Sequence, residues 1–317
     1  MKTKTLLLAL VPVMAIGAMF FQAMANRQTS NVIQVKLSEK TAVIPVQQVR
    51  GCSFSHHSSE VLRIGISGVL SPSRTLEDYR ELLTFMGHQL DRQVSMILKP
   101  TYAELNDLIE SKSVDIGVIC SLAYVLAHDS FSAELLVAPQ INGKTEYYSY
   151  LIVARDSPAA DLADLKGSSF AFTDPLSNTG YLVPSYQLSL LKTAPFSFFS
   201  RYIFTYSHDN SVHSVADKLV NGAAVDSLVY DQLVAKNPEV ASKTRVIARW
   251  GPYGIPPLVV NPSLDPLLKQ QLRDFFLNLH NSPEGQGILT KLGIDKFVTM
   301  SDASYDSIRE MKKALGR

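Results

Sequence analysis

The sequence has few cysteines, no excess of charge of either sign, and none of the short motifs by which common enzyme classes are recognised. Lys plus Arg number 30 against 29 Asp plus Glu, a balance that argues against a nucleic-acid-binding protein. There is no Walker loop, no H-E-x-x-H pair, no Gly-rich dinucleotide fingerprint and no G-x-S-x-G elbow. The sequence therefore offers no motif for a nucleotide-dependent enzyme, a zinc hydrolase or a serine hydrolase.

What is present is an ordinary globular composition. The 317 residues are 46% hydrophobic and 19% charged, which suits one large or two medium domains. The two cysteines are Cys52 and Cys120. In an oxidising compartment two cysteines can form one disulfide, but their positions in the sequence do not decide whether these two pair.

The first 25 residues differ from the rest of the chain. A basic start precedes an apolar run that ends in Ala23-Met24-Ala25, the small-x-small form of a signal-peptidase site. We therefore predict that residues 1–25 are a signal peptide. The run approaches the roughly 20 residues that span a bilayer, so an uncleaved N-terminal anchor is the alternative. Either segment places the body of the protein in the periplasm, and the polar residues 26–59 are predicted to form a spacer.

From residue 61 onward, short apolar runs alternate with longer amphipathic stretches. "VLRIGIS", "VSMILKP" and "VDIGVIC" are typical of buried strands, and the two stretches between them have helical spacing. A βαβαβ opening predicts a parallel sheet covered by helices, and a second such series begins near residue 150. We predict an α/β fold of two lobes, each a mostly parallel sheet flanked by helices, joined by two crossing strands. Lobe 1 would comprise residues 60–146 and 252–317, and lobe 2 residues 147–251.

The stretch "DPLSNTGYLVP", residues 174–184, collects small polar residues where a helix is predicted to begin. One interpretation is a helix N-cap, because Ser, Thr and Asn side chains accept hydrogen bonds from the first free N–H groups. The other is an anion site, because the same N–H groups and the helix dipole favour a bound oxyanion. The stretch follows the strand "SSFAFTD", and open α/β sheets bind ligands beyond the carboxyl ends of their strands. That position favours the anion site.

Five blocks in the same order give the chain a resemblance to a known family. They are "LRIGIS", "TYAELNDLIESKSVDIGVICSLAYVLAH", "DPLSNTGYLVP", "YSHDNSVHSVADKLVNGAAVDSLVYDQL" and "PLVVNPSLDPLLKQQLRDFF". Together they resemble the periplasmic phosphate, phosphite and phosphonate binding proteins of ABC transporters. The resemblance implies the type II periplasmic-binding-protein fold, whose two lobes close on a ligand.

The same resemblance implies a set of ligand contacts. They are a tetrapeptide of Ser177, Asn178, Thr179 and Gly180, the lobe 1 tyrosines Tyr102 and Tyr124, and His208 and Asp226 from lobe 2. Hydroxyl and backbone N–H groups would donate to the anion, and Asp226 would accept from a protonated ligand oxygen or a ligand amine. Each residue also has an ordinary structural role open to it, such as packing for a helical Tyr or helix capping for Asp226.

The sequence departs from the family pattern at two places. Asn178 stands where Thr or Ser is common, and Cys120 with Ser121 stands where phosphonate binders usually have a Gly-Pro-type turn. A cysteine in the cleft is a feature that the chain would share with the arsenite-binding relatives of this superfamily. The resemblance to them implies signalling to a membrane sensor kinase. Ligand contacts are therefore also predicted for Cys120 and Ser121, and an arsenite-sensing role is the alternative function.

A third interpretation treats Ser177, His208 and Asp226 as a hydrolase triad, although no nucleophile elbow supports it. The preferred prediction is an exported, monomeric binding protein, not an enzyme, that captures a small oxyanion. It would need no metal or organic cofactor, would not bind nucleic acid, and would act on an inner-membrane ABC permease or on a sensor kinase's periplasmic domain.

Overall fold

The protein is an α/β molecule built on two mixed β-sheets, so the predicted fold class is confirmed. The computed structural model describes residues 61–316 and, ahead of them, residues 32–34 and 42–45. The strands are β1 (Val32–Gln34), β2 (Ala42–Pro45), β3 (Leu62–Ser67), β4 (Val94–Lys99), β5 (Ile116–Val118), β6 (Glu134–Gln140), β7 (Glu146–Ala154), β8 (Ser169–Phe172), β9 (Arg201–Phe204), β10 (Gly222–Asp226), β11 (Thr244–Gly254), β12 (Leu258–Val260) and β13 (Lys296–Val298).

Helices cover both sheets. The α-helices are α1 (Pro72–Leu90), α2 (Tyr102–Glu110), α3 (Ser121–Phe131), α4 (Val183–Leu190), α5 (Pro195–Phe198), α6 (His208–Ala216), α7 (Ser227–Lys236), α8 (Pro238–Lys243), α9 (Pro266–Asn278), α10 (Pro283–Leu292) and α11 (Asp306–Ala314). Short 3₁₀ turns lie at Ala163–Leu165, Leu279–Asn281 and Asp302–Tyr305.

The first lobe contains the seven-stranded sheet, in the order β13-β6-β12-β5-β3-β4-β2. Its centre is parallel, with Ile64 of β3 between Met96 of β4 and Ile116 of β5. Antiparallel strands flank this centre. Because both faces of β3 are buried, its sequence is almost continuously apolar. Gly65 lies on this strand where a Cβ would overlap Leu105 Cδ1, so its lack of a side chain lets α2 pack closely.

The second lobe contains the six-stranded sheet, in the order β1-β9-β8-β10-β7-β11. Strands β9, β8 and β10 are parallel, and β7 and β11 pair antiparallel beside them. From β3 onward the chain enters this sheet at β7 and leaves it at β11, so this part of the chain passes between the two sheets twice. The residue limits given for the lobes stay a prediction, because membership of a sheet does not by itself mark a domain boundary.

Two short strands lie within the predicted spacer, residues 26–59. Strand β1 extends the second sheet beside β9, and β2 extends the first sheet beside β4. The predicted signal peptide or anchor, residues 1–25, lies outside the described residues. Within the described part of the chain, none of the helices has the length and apolar character to cross a membrane.

An aromatic cluster holds the strand that leads to the polar tetrapeptide. Phe172 is the last residue of β8 and is fully buried. The centroid of its ring lies within 6.0 Å of the ring centroids of Phe170, Tyr181, Phe199, Tyr202 and Phe204. Tyr181 directly follows the tetrapeptide in the same turn, and its ring meets Phe172 edge-on with centroids 5.0 Å apart. The turn is therefore anchored to the core by an aromatic contact as well as by the backbone.

We expect Phe172→Ala to lower the free energy of unfolding by about 3–5 kcal/mol, because the substitution leaves a cavity among five rings. Urea denaturation followed by circular dichroism would measure the loss. Phe196→Ala is the matched control, since Phe196 is 63% exposed and should lose less than about 0.5 kcal/mol. Equal losses in the two variants would contradict the role given to the aromatic cluster.

Candidate functional site

The polar tetrapeptide forms the first turn ahead of α4. Residues Asn178–Leu182 make a π-helical turn, and Ser177 is its N-cap, with Oγ accepting from Gly180 N at 3.0 Å. The N-cap interpretation is therefore correct for Ser177. Ser177, Asn178 and Thr179 are fully buried, although polar residues at the start of a helix are usually exposed to solvent. Helix capping alone gives no reason to bury three polar side chains.

Gly180 is required by a close approach of two segments. A Cβ at this position would overlap the side chain of Thr173, which follows β8, and would lie 2.9 Å from Ser177 Oγ. The turn therefore packs directly onto the end of β8. This contact places the tetrapeptide at the carboxyl edge of the parallel strands, as the sequence analysis expected from the chain order.

Near this turn, three buried polar atoms have no hydrogen-bond partner among the described residues. They are Tyr102 OH, Asn178 Oδ1 and Thr179 Oγ1. Burial, and then the nearby Cys120, Asp174, Asp226 and Tyr147, raise the pKa of Tyr102 well above its usual value. The Tyr102 hydroxyl thus lies in a cluster formed by both lobes. Burying a hydroxyl without a partner is unfavourable by about 1–3 kcal/mol, so these groups are suited to bind something else.

Tyr147 belongs to this cluster, although the sequence analysis missed it. Its hydroxyl oxygen accepts from Asn178 Nδ2 at 3.1 Å, and the hydroxyl also hydrogen-bonds with the Ser121 side chain. Burial raises the pKa of Tyr147 well above the usual value, so the hydroxyl stays protonated. The signal was the run of tyrosines in "EYYSY", where alternation along β7 buries Tyr147 and Ser149 fully. Only the register of the sheet shows which tyrosine faces the cluster.

Tyr124 does not join the cluster, contrary to what the resemblance implied. Its hydroxyl donates to Asp302 Oδ1 at 2.6 Å, and its ring meets Tyr305 with centroids 4.7 Å apart. The cause is its position on α3, where it packs against the C-terminal part of the chain. Tyr147 is the second tyrosine of the cluster, and Tyr124 has a structural role.

Cys120 lies in the cluster and its partner is in the other lobe. The Asn178 N–H donates to Cys120 Sγ at 3.3 Å. Burial raises the pKa of this free thiol to about 11, so it is a protonated thiol and a weak nucleophile. The neighbouring Ser121 Oγ donates to Gly254 O at 2.7 Å, a contact that ties α3 to the end of β11. Cys52 lies outside the described residues.

His208 and Asp226 lie side by side in the second lobe. The Asp226 N–H donates to His208 Nδ1 at 3.0 Å, and Thr173 Oγ1 lies 3.1 Å from the same nitrogen. Because Nδ1 accepts, the ring carries its hydrogen on Nε2. Burial lowers the pKa of His208 to about 3, so the ring is neutral at physiological pH.

Asp226 is the N-cap of α7. Its Oδ1 accepts from Leu228 N at 2.7 Å and from Val229 N at 3.4 Å. Burial nevertheless raises its pKa to about 7, so the carboxyl is close to half protonated at neutral pH. Capping and ligand contact are compatible here, because the cap uses one carboxyl oxygen.

The hydrolase interpretation lacks the geometry that it needs. Within residues 61–316 no hydrogen bond joins Ser177 Oγ to His208, and Nδ1 of His208 is occupied by a backbone N–H and not by a carboxylate. A histidine held in this way has no orienting carboxylate and no hydrogen bond to the predicted nucleophile, Ser177. In the same part of the chain, no group of three His, Cys, Asp or Glu residues could hold a metal ion.

The lobes touch through carboxylates that meet the starts of helices. Asp209 of the second lobe accepts from Ser71 N at 3.0 Å, directly ahead of α1. Asp174 Oδ2 accepts from Tyr102 N at 3.2 Å, in the first turn of α2. The backbone N–H of His208 also donates to Val69 O at 3.0 Å. These contacts between the lobes, with the contact of Asn178 to Cys120, show that the lobes are closed around the cluster.

Residues 64–305 match the family described as the periplasmic substrate-binding protein of ABC phosphonate transporters. This chain belongs to that family. A binding protein of Escherichia coli K12, the phosphonates-binding periplasmic protein, is 27% identical over 278 residues, which are 86% of this chain and 81% of that protein. As a member of the family, this binding protein works in the periplasm with a small-molecule ligand and a membrane permease.

Two solved structures show the same architecture. The binding component of an ABC phosphonate transporter from Pseudomonas aeruginosa superimposes with a TM-score of 0.74 at 29% identity, covering 80% of this chain and 85% of that one. The methylphosphonate complex of PhnD1 from Prochlorococcus marinus gives 0.73 at 20% identity, covering 81% of this chain and 98% of that one. The proteins that this binding protein matches in sequence are substrate-binding transport proteins, not enzymes.

We expect the Asp226 carboxyl to contribute a loss of stability as pH rises from about 4 to about 7, whereas His208, with its pKa lowered to about 3, contributes a gain up to about pH 6.5. Between about pH 4 and about pH 7 the buried Asp226, with its pKa raised to about 7, keeps a proton that the unfolded chain has released. Asp226→Asn retains the cap, since Asn is as good an N-cap as Asp. The variant should therefore lose about 2 kcal/mol less than the wild type between pH 5 and pH 8, measured by urea denaturation.

Asp265→Asn is the control for this comparison. Asp265 is an exposed N-cap whose Oδ1 accepts from Leu268 N at 2.8 Å. Its substitution should leave the pH profile as in the wild type. A wild-type profile in Asp226→Asn would mean that the Asp226 carboxyl is already ionised at pH 5.

Proposed function

We propose that the protein captures a phosphonate between its lobes and delivers it to the permease of an ABC transporter. The observation that carries the proposal is the pair of unpartnered hydroxyls, Tyr102 OH and Thr179 Oγ1, each buried in the interlobe cluster. The family membership supplies the transport context, and the relative from Escherichia coli is a phosphonates-binding protein.

The donors of the cluster suit an oxyanion bound without a counter-charge. The hydroxyls of Tyr102 and Thr179 have no hydrogen-bond partner among the described residues, and the Tyr147 hydroxyl lies in the same cluster. The first-turn N–H groups of Asn178 and Gly180 already donate to Cys120 Sγ and Ser177 Oγ, so the hydroxyls are the main donors to the anion. Among the described residues, no lysine or arginine is a main cause of the pKa shifts of Tyr102, Cys120 or Asp226. Hydrogen bonds to a charged group are stronger than neutral ones, so several such donors can compensate the desolvation of an anion.

Asp226 can share a proton with the ligand. With a pKa of about 7 its carboxyl can donate to a ligand oxygen when protonated, or accept from a protonated ligand oxygen when ionised. Either arrangement places one proton between carboxyl and ligand. The side chain would favour a ligand that shares a proton over a fully ionised anion, whose charge would repel an ionised Asp226.

Closure follows from the position of the donors on both lobes. Tyr102 comes from α2 of the first lobe, whereas Thr179 and Asp226 come from the second. A ligand that bridges them binds the closed arrangement more tightly than the open one, and it therefore shifts the population towards closure. The closed surface is what a permease would recognise. We propose that the protein acts as a monomer in this cycle, because both halves of the cluster come from one chain.

Tyr102→Phe and Thr179→Val should each weaken methylphosphonate binding by about 1–3 kcal/mol, because each removes one donor from a desolvated site. Isothermal titration calorimetry would measure the affinities. Tyr124→Phe is the matched control, since its hydroxyl is bonded to Asp302 and should not affect the ligand. If Tyr102→Phe binds as tightly as the wild type, the assignment of the cluster as the ligand site is wrong.

The arsenite-sensing alternative depended on Cys120. The described chain offers no second thiol beside it, and the Cys120 thiol is protonated and bonded to the Asn178 N–H. We expect Cys120→Ser to keep methylphosphonate affinity within about tenfold, since a hydroxyl still accepts from Asn178. We also expect arsenite to produce no thermal shift in the wild type. An arsenite-dependent shift that disappears in Cys120→Ser would favour the sensing function.

A further inference from the structure

We propose that the organic substituent of the ligand is a bulky apolar group, alkyl or aryl, held in a chamber next to the anion cluster. This inference rests on the proposed function, because it concerns the part of the same ligand that points away from the oxyanion. It goes further by stating which phosphonates the protein selects.

The chamber is a cavity of about 450 Å³ between the lobes. Its walls come from the strands and helices that frame the cleft, and they include Ile66, Val118, Ile119, Leu228, Val229 and Ile255. Cavities of roughly 300–1,000 Å³ are the size that encloses organic ligands in proteins. An inorganic oxyanion would fill only a small part of this volume, since a water molecule takes up about 30 Å³ in the liquid.

The chamber and the anion cluster share one residue, Asp226. Asp226 lines the chamber, and its charge is also among the causes that raise the pKa of Tyr102 and of Tyr147. Ile119, in the wall, directly precedes Cys120 of the cluster. A ligand whose oxyanion shares a proton with Asp226 therefore has the chamber beside it, and we place its remaining substituent there.

The charged residues of the wall are all acidic, and each has a partner. Asp78 pairs with Arg74 at 3.9 Å, Asp231 accepts from Tyr150 OH at 3.3 Å, and Asp226 caps α7. No lysine or arginine is present in the described lining. A second anionic group on the ligand would be repelled, and an ammonium group would have to share Asp78 and Asp231 with their partners or compete with the oxyanion for the second oxygen of Asp226.

The wall also contains the polar side chains of Ser67, Thr75, Tyr79, Asn142 and Gln232, and the first two are engaged. Ser67 Oγ donates to Val118 O at 3.3 Å, and Thr75 Oγ1 donates to Ser71 O at 3.1 Å. A polar substituent would lose its hydration without gaining donors from these two side chains. The chemistry of the chamber thus favours a substituent that gains free energy by leaving water, which is an apolar one.

The test is a calorimetric titration of the purified full chain with methyl-, propyl-, phenyl- and 2-aminoethylphosphonate. Each methylene buried in an apolar wall should tighten binding about fourfold. We expect propylphosphonate to bind about 15-fold more tightly than methylphosphonate, phenylphosphonate at least as tightly as propylphosphonate, and 2-aminoethylphosphonate more weakly than propylphosphonate.

A wall variant tests where the gain arises. Leu228→Asn introduces an amide of similar size into the chamber and should reduce the propyl-to-methyl affinity ratio from about 15 to about 4 or less. Leu219→Asn makes the same change at a leucine of the second lobe that is 65% exposed, and it should keep the wild-type ratio. If Leu228→Asn fails to fold, the wild-type series alone decides.

The outcomes separate the two proposals. Methylphosphonate binding with no gain for propyl- or phenylphosphonate, or with 2-aminoethylphosphonate preferred over propylphosphonate, overturns the apolar chamber and leaves the proposed function standing. Failure of every phosphonate to bind overturns the proposed function and the inference with it. Rising affinity along the apolar series, reduced by Leu228→Asn and not by Leu219→Asn, supports both.

Discussion

The site depends on one constraint: an anion must be held in a closed, water-poor space with hydrogen-bond donors that carry no charge. The described cluster meets it with hydroxyls, with an imidazole that burial keeps neutral, and with a carboxyl that burial keeps partly protonated. A buried lysine or arginine would attract any anion and would be unfavourable to desolvate when the site is empty. Neutral donors in fixed directions instead select by shape and by protonation state.

The fold places these donors by three separate routes. The Ser177–Leu182 turn is held by the end of β8, where Gly180 packs on Thr173 and Tyr181 packs on Phe172. Tyr147 is placed by the register of β7 in the second sheet. Tyr102 comes from the other lobe, at the start of α2, and reaches the cluster only because the lobes meet. Local packing thus fixes two of the donors, and the closure of the cleft brings in the third.

Much of this arrangement could be predicted from the sequence, and the limits have physical causes. The α/β class follows from alternating strand-like and helix-like runs. The tetrapeptide could be found because a Ser/Thr-rich helix start after a buried strand is a local pattern. The sequence could not show that Tyr147, rather than the predicted Tyr124, lies in the cluster. Which tyrosine of a strand or helix faces a cleft depends on pairing and packing between segments far apart in the chain, and periodicity does not report it.

The same limit explains Cys120. Its place at the end of β5 was visible in the sequence, and it suggested a reactive thiol in the cleft. The structure adds the partner, the Asn178 N–H, and the burial that keeps the thiol protonated. Reactivity of a cysteine is decided by its surroundings and not by its position along a strand. Here those surroundings make the sulfur a hydrogen-bond acceptor that links the two lobes.

The carboxylates of Asp174 and Asp209 meet helix starts of the opposite lobe, and the ligand takes no part in these contacts. When the lobes separate, both carboxylates return to water, and the first turns of α1 and α2 lose these two acceptors. These contacts favour closure without a ligand, whereas burial, which raises the pKa of Asp174 to about 6, opposes it. The balance of the two sets the fraction of empty molecules that are closed. The apparent affinity for any ligand is the intrinsic affinity scaled by that closed fraction. Substitutions at the edge of the cleft, far from the oxyanion, can thus tune how little solute is enough to load the protein.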